Sequence, residues 1–215
     1  LKGLRKVSIG GKRYYICGSQ RLPSVTTILK YGLPKPVELE LWELFTEDAE
    51  LIRDYRALVG VISHYRLASA MAAKFGLPVP ELEIRNASLL DGNAIEIVKQ
   101  IWRRVKYWIE LYNPIPYLVE HTVVNKELGY AGTCDLVVKL DKYFFLVDFK
   151  TSKACYPVFN AQIAAYLKAI RAPLNGAILR VNEDSAEFKI LSEKEIEEGF
   201  DLFLQAKRNF ERNKF

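Results

Sequence analysis

The 215-residue chain has no run of about 18 uncharged apolar residues, the length a helix needs to cross a bilayer. Its first residues lack the basic-then-apolar pattern of a secretory leader. From these two absences we expect no membrane partner and an intracellular, cytoplasmic location. Cysteine is scarce: Cys17, Cys134 and Cys155 lie far apart, and none belongs to a Cys-x-x-Cys pair. That spacing argues against a zinc knuckle or a disulfide framework and suggests small buried hydrophobes. There is no internal repeat or low-complexity tract, and Pro and Gly fall singly between periodic segments instead of massing into a linker. Methionine occurs once, beside 27% charged residues, a composition that heat tolerance often accompanies.

What is present is enough for one core. Half the residues are hydrophobic, and at this length we expect a single domain over 1–215. It divides into an N-terminal hairpin and helices (1–115), a sheet core (116–191) and a C-terminal helix (192–215). Lys plus Arg outnumber Asp plus Glu by 31 to 26, for a net charge of +5 and a pI near 9.0, a mild bias toward a polyanionic partner.

Periodicity sets the elements. Lys6 to Ile16 alternates around Gly10-Gly11, a pair suited to a tight turn, and predicts a hairpin. Pro23 to Leu29 leads into a short helix in which Ser24, Thr26 and Thr27 are candidate caps without chemistry. From Glu38 to about Phe75, Leu41, Leu44, Phe45, Leu51, Ile52, Tyr55, Val59 and Ile62 recur at three or four, predicting a core-facing helical stripe interrupted at Gly60. Asn93 to Tyr112 repeats the pattern, with Asn93 as cap and Asn113-Pro114 as stop. The period then changes to two: Tyr117 to Asn125, Ala131 to Leu140 and Tyr143 to Lys150 predict a three-strand meander. A helix over Pro157 to Ile170 follows, then strands over Gly176 to Val181 and Ala186 to Leu191. Ser192-x-x-Glu195 has the form of a capping box, opening a helix with Ile196, Phe200, Phe203 and Phe210 on its apolar side. The fold class expected is α/β, a central mixed β-sheet flanked by helices, with an N-terminal hairpin and a helical insertion.

Chemistry concentrates in the meander. With Asp141-Lys142 as a two-residue loop, Leu140 faces Tyr143, and continuing that pairing sets Asp135 directly opposite Asp148. Opposed side chains have Cβ atoms roughly 4.5 to 5.5 Å apart, and two carboxylates at that distance repel unless a proton or cation lies between them. Mg²⁺ suits the place, because it is a hard cation that takes one or two carboxylates and fills its shell with water and phosphate oxygens. Lys150, two residues beyond Asp148, shares its face, while Val147 and Phe149 point the other way. A lysine there can orient water and offset charge on a phosphate, which is phosphodiester hydrolysis chemistry. Asp-x-Lys alone carries no weight at this chain length, since a solvated strand edge explains it as well.

These residues resemble the PD-(D/E)xK nuclease superfamily, and within it the RecB-like and viral or phage-type exonuclease branch. The resemblance runs from about Gly60 to Tyr166 through Gly60-Val-Ile-Ser-His64, Gly132-Thr-Cys-Asp135-Leu-Val-Val, Asp148-Phe149-Lys150 and Gln162-Ile-Ala-Ala-Tyr166, in that order. It implies a restriction-endonuclease-like core. It also implies a metal, Mg²⁺ or Mn²⁺, held by His64, Asp135, Asp148 and the Phe149 carbonyl, with Lys150 assisting the water and Gln162 and Tyr166 lining a DNA site. Glu120 matches a glutamate often found in such families and is a further catalytic candidate. Lys153, just after the Asp148 strand, is a candidate for a phosphate. Leu146-Val147 stands where the family's name has a proline. Members with an iron-sulfur cluster carry three cysteines near the end, whereas nothing after Cys155 could serve here, so no cluster is expected.

The basic-aromatic run Trp102 to Trp108 could track a phosphate backbone, but helical spacing makes Ile101, Val105 and Trp108 core and the cations a solvated face. Lys207, Arg208 and Arg212 suit a helix C-terminus and need no ligand. The first functional expectation is a metal-dependent DNase of replication, recombination or repair, located in a host cell if the source is viral. The second is a Holliday-junction-type endonuclease, for which a homodimer is expected because a four-way junction presents two equivalent cuts. The third is a non-catalytic DNA-binding or assembly protein that keeps the nuclease fold. The last is a mixed α/β domain with an accidental motif.

Overall fold

The structure is a computed structural model and describes residues 4–79, 81–84 and 86–212. A three-stranded antiparallel sheet opens the chain: β1 (Arg5–Ile9), β2 (Lys12–Cys17) and β3 (Gln20–Pro23). Gly10 and Gly11 both take positive φ, 55° and 73°, as a two-residue hairpin turn demands. Helix α1 (Val25–Gly32) follows, capped by Ser24, whose side chain accepts the Thr27 N–H at 3.0 Å. Then come α2 (Val37–Phe45), α3 (Ala49–Lys74), a 3₁₀ turn over Ala87–Leu89 and α4 (Gly92–Tyr112). The second sheet has strand order β4-β5-β6-β7-β8, built from Ile115–Asn125, Tyr130–Leu140, Tyr143–Lys150, Asn175–Val181 and Ala186–Ile190. Its pairs are antiparallel except β6 with β7, which α5 (Pro157–Ile170) joins as a crossover. Helix α6 (Glu193–Arg212) closes the chain behind the expected capping box, with Ser192 Oγ accepting the Glu195 N–H at 3.2 Å and Glu195 Oε2 accepting the Ser192 N–H at 2.9 Å.

The mixed sheet is covered on both faces. One core joins it to α1, α5 and α6 through Ile28, Ile163, Ala165, Phe203 and Phe210, and the other joins it to α3 and α4 through Leu67, Met71, Ile101 and Trp108. No helix among the described residues is long and apolar enough to cross a membrane.

Several expectations need correction. The 38–75 stripe is two helices, not one broken at Gly60. The break falls at 46–48, where Asp48 adopts a left-handed φ of 55°, and Gly60 lies inside α3. There the missing side chain lets the helix approach the β6 exit, since a Cβ on Gly60 would lie 3.2 Å from Thr151 Oγ1. The first half of the stripe does not face the core: Leu41, Leu44, Phe45, Leu51 and Ile52 are exposed, and only Val59 of the eight is fully buried. The α4 cap is Asp91 instead of Asn93, its carboxylate accepting the Ala94 N–H at 2.7 Å. Among the cysteines only Cys134 is buried, whereas Cys155 is exposed and Cys17 half-buried. Ile101, Val105 and Trp108 are core as expected.

Candidate active site

The β5–β6 hairpin has the two-residue Asp141-Lys142 turn, with Asp141 at φ 51°, and its pairs run from Leu140–Tyr143 to Leu136–Val147. The ladder ends there, and Asp135 and Asp148 stand one position beyond its last pair on adjacent strands. On the other side of β5, the Val119–Leu136 and His121–Cys134 pairs bracket Glu120 opposite Asp135. Three carboxylates therefore form a row across β4, β5 and β6.

The strands change parity at this row. On β5, Leu136, Val138 and Leu140 pack toward α3 and α4, and strict alternation would send Cys134 the same way. It joins Val137 on the α5 and α6 side instead. On β4 the same switch separates Val119 from Val123, with Glu120 between them at φ 46°, a left-handed conformation uncommon for a non-glycine residue. Asp135 Oδ2 accepts the Phe149 N–H at 2.8 Å, so a side chain takes over from the backbone ladder where the strands part.

Helix α3 places His64 over the row. Its Nδ1 lies 3.4 Å from Asp135 Oδ2, and its ring meets Phe149 edge-on with centroids 4.8 Å apart. His64, Glu120 and Asp135 each offer a ligand atom within 4.8 Å of the others. Asp148 is fully buried on the α5 side, where Oδ1 accepts from Gln162 Nε2 at 2.6 Å. Its Oδ2 forms an ion pair with Lys150 Nζ at 2.5 Å. Lys150 in turn donates to Gln162 Oε1 at 3.2 Å and lies 5.0 Å from the centre of the Phe159 ring. Tyr166 is buried one helical turn on, its hydroxyl 3.4 Å from Gln162 Nε2, and its ring lies against Gly132, where any Cβ would collide with it.

Electrostatics follow from burial and crowding. Burial pushes Glu120 up to about 7, helped by Asp135 and opposed by Lys6 and Arg13. Burial likewise pushes Asp148 up to about 6, opposed by the Lys150 ammonium and reinforced by Asp135. Asp135 is raised by burial against the pull of Lys150 and the Phe149 N–H. His64 is lowered to about 4 by burial and by Lys150, although 30% of its side chain remains exposed. A neutral imidazole and carboxylates that resist ionising alone are the donors a divalent cation satisfies.

The structure thus brings together His64, Glu120, Asp135, Asp148, Phe149, Lys150, Gln162 and Tyr166. Glu120 is closer to the centre than the sequence indicated, sharing the His64 and Asp135 cluster, while Asp148 is engaged by Gln162 and Lys150. Lys153 stands apart: it is exposed, its carbonyl accepts from Arg180 at 3.0 Å, and its charge acts on Glu183. Sequence reasoning gave the N-terminal hairpin but not β3 or its contact with the site, where the Tyr15 and Thr133 hydroxyls bond at 2.7 Å, and nothing local in the sequence marks that pairing.

No family model matches the chain, and no curated protein matches it. Among solved structures, one described as the crystal structure of SSO0001 is similar at 13% identity and a TM-score of 0.31, covering 82% of this chain and 84% of that one.

Proposed function

We propose that the chain is a divalent-metal-dependent nuclease that hydrolyses DNA phosphodiester bonds in replication, recombination or repair, with the restriction-endonuclease-like core of the PD-(D/E)xK superfamily. The observation that supports this reading is the row of Glu120, Asp135 and Asp148 on adjacent strands, with His64 above it and Lys150 beside it. A fold has no structural need to hold three carboxylates together at raised pKa, and doing so lowers stability unless a cation joins them.

The residues fit Mg²⁺ or Mn²⁺. Oxygen donors with one imidazole nitrogen suit these ions, and the ligand atoms of His64, Glu120 and Asp135 lie within 4.8 Å of one another. His64, Glu120, Asp135 and Asp148, with the Phe149 carbonyl, would hold the ion. When bound it supplies Lewis-acid polarisation of a phosphoryl oxygen and a lowered pKa for water. The chain's own groups do the rest. Gln162 fixes Asp148 and Lys150 relative to each other, and Lys150 offers its charge where a phosphate would gain negative charge. On the α5 side Tyr166 supports Gln162, and the Phe159 ring lies against the Lys150 ammonium.

The test is cleavage of labelled linear, single-stranded, nicked and four-way-junction DNA with Mg²⁺, Mn²⁺ or EDTA, comparing the parent chain with Asp148→Ala and Lys150→Ala. Metal-dependent cutting lost in both variants supports the reading, and the preferred substrate separates an end-directed enzyme from a junction resolvase. Metal binding without cutting of any substrate would assign the chain to the non-catalytic binders.

A further inference from the structure

Beside the carboxylate row, the N-terminal sheet and α1 enclose a cleft of about 390 Å³. Lys6, Arg13 and Lys30 line it with Ser8, Thr26 and Tyr31, and the acid among the lining residues is Glu83. Arg13 rises from a pinned backbone. Its N–H donates to Thr27 Oγ1 at 2.9 Å, and its carbonyl accepts from the Ser24 N–H at 2.9 Å and from the Thr27 hydroxyl at 3.2 Å. Neither Arg13 nor Lys30 makes an ion pair among the described residues, and Lys30 Nζ lies 5.4 Å from the centre of the Tyr31 ring. Arg13 and Lys30 thus line the cleft from a strand and a helix held together by hydrogen bonds.

The cleft adjoins the site through β2. Tyr15, two residues past Arg13 and paired with Lys6 in the β1–β2 register, bonds Thr133, which stands two residues before Asp135. Lys6 and Arg13 also act on Glu120, drawing its pKa down against burial. A carboxylate site cannot by itself attract a polyanion, whereas fixed cations next to it give the positive potential that positions a phosphate chain.

We propose that this cleft binds a backbone phosphate of the DNA strand, flanking the phosphodiester held at the carboxylate row. The inference rests on the nuclease reading for the identity of the strand, but its binding test does not require cutting.

Binding of a fluorescently labelled single-stranded oligodeoxynucleotide to the whole chain is measured in EDTA across a salt series, for the parent, Arg13→Gln/Lys30→Gln and Lys99→Gln/Arg103→Gln on α4. All four positions are exposed, and unchanged melting temperatures verify folding. The cleft variant is expected to lose affinity about tenfold or more and to flatten the salt dependence by about 0.7 per cation removed, while the α4 variant changes little. In metal, it is expected to raise KM for DNA. Equal loss in both variants, or no loss in either, overturns the proposal. Displacement of the oligonucleotide by equimolar inorganic phosphate also overturns it, since the cleft would then be a free-phosphate pocket. If the parent cuts nothing but the cleft variant alone loses oligonucleotide binding, the nuclease reading falls and the cleft stands.

Discussion

Asp135 takes the Phe149 N–H at 2.8 Å, so the carboxylate nearest His64 also secures the backbone of the strand that carries Asp148 and Lys150. Structural and electrostatic roles meet in one side chain, and two substitutions separate them. Asp135→Asn keeps an acceptor oxygen and removes the charge, so the metal-free protein is expected to melt at or above the parent temperature at neutral pH, with the gain in melting temperature on adding Mn²⁺ lost. Asp135→Ala leaves the Phe149 N–H without its partner, which costs about 1 to 3 kcal/mol. Thermal melts with and without Mn²⁺ compare the two, and equal stability of Asn and Ala variants would show that the hydrogen bond contributes nothing.

The raised carboxyls set a pH dependence. Glu120 and Asp148, at about 7 and about 6 in the folded chain, hold protons that the unfolded chain has already released, so their contribution to metal-free stability is greatest in acid and is lost as pH rises through those values. His64, lowered to about 4, acts oppositely and contributes above the imidazole's ordinary value of 6.5. A divalent ion needs the ionised carboxylates and the neutral imidazole. The increase in melting temperature produced by Mn²⁺ is therefore expected to be small at about pH 5.5 and to grow toward about pH 8. Glu120→Gln should shrink that growth. A metal effect independent of pH would mean that these groups do not bind the ion.

Gly132 lies under the Tyr166 ring, where an added Cβ has no room. Gly132→Ala is expected to cost about 1 to 3 kcal/mol of stability, as overpacking of a tight core does. It should also displace Tyr166 and, through it, Gln162. Combined with Tyr166→Ala, the loss should be smaller than the sum of the single losses, because both remove the same contact. Urea unfolding of the three variants decides this, and strict additivity would show that the ring and the glycine do not interact.

The apolar residues around α2 give the opposite expectation. Phe45 is 81% exposed, while Phe203 is fully buried with its ring 4.7 Å from that of Tyr130. Phe45→Ser should alter the unfolding free energy by no more than about 0.5 kcal/mol, whereas Phe203→Ala should cost about 3 to 5 kcal/mol. Chemical denaturation distinguishes them, and a large loss at Phe45 would mean that α2 packs in solution.

Local rules made much of this protein legible. The Asp141-Lys142 turn and the period-two pattern around it set the register from Leu140–Tyr143 to Leu136–Val147, because a two-residue loop leaves one pairing, but alternation breaks one step beyond, at Asp135. The same reasoning separated Asp148 and Lys150 from Val147 and Phe149, and the Ser192–Glu195 box announced α6. Local rules failed where two elements had to choose each other. The stripe over Leu41 to Ile52 has helical spacing whether or not a partner covers it, so periodicity could not tell exposure from burial.

The sequence by itself determined which residue types share a strand face, because backbone alternation and turn length are local properties of the chain. Only the tertiary structure decided that Glu120 joins the row, since its left-handed backbone switches the face of β4 and breaks the alternation that reading depends on. It also decided that Tyr15 meets Thr133 across 118 residues, bringing the cations of the N-terminal sheet beside the carboxylates. Contacts between distant segments are chosen by packing over the whole chain, and no short stretch of sequence contains that information.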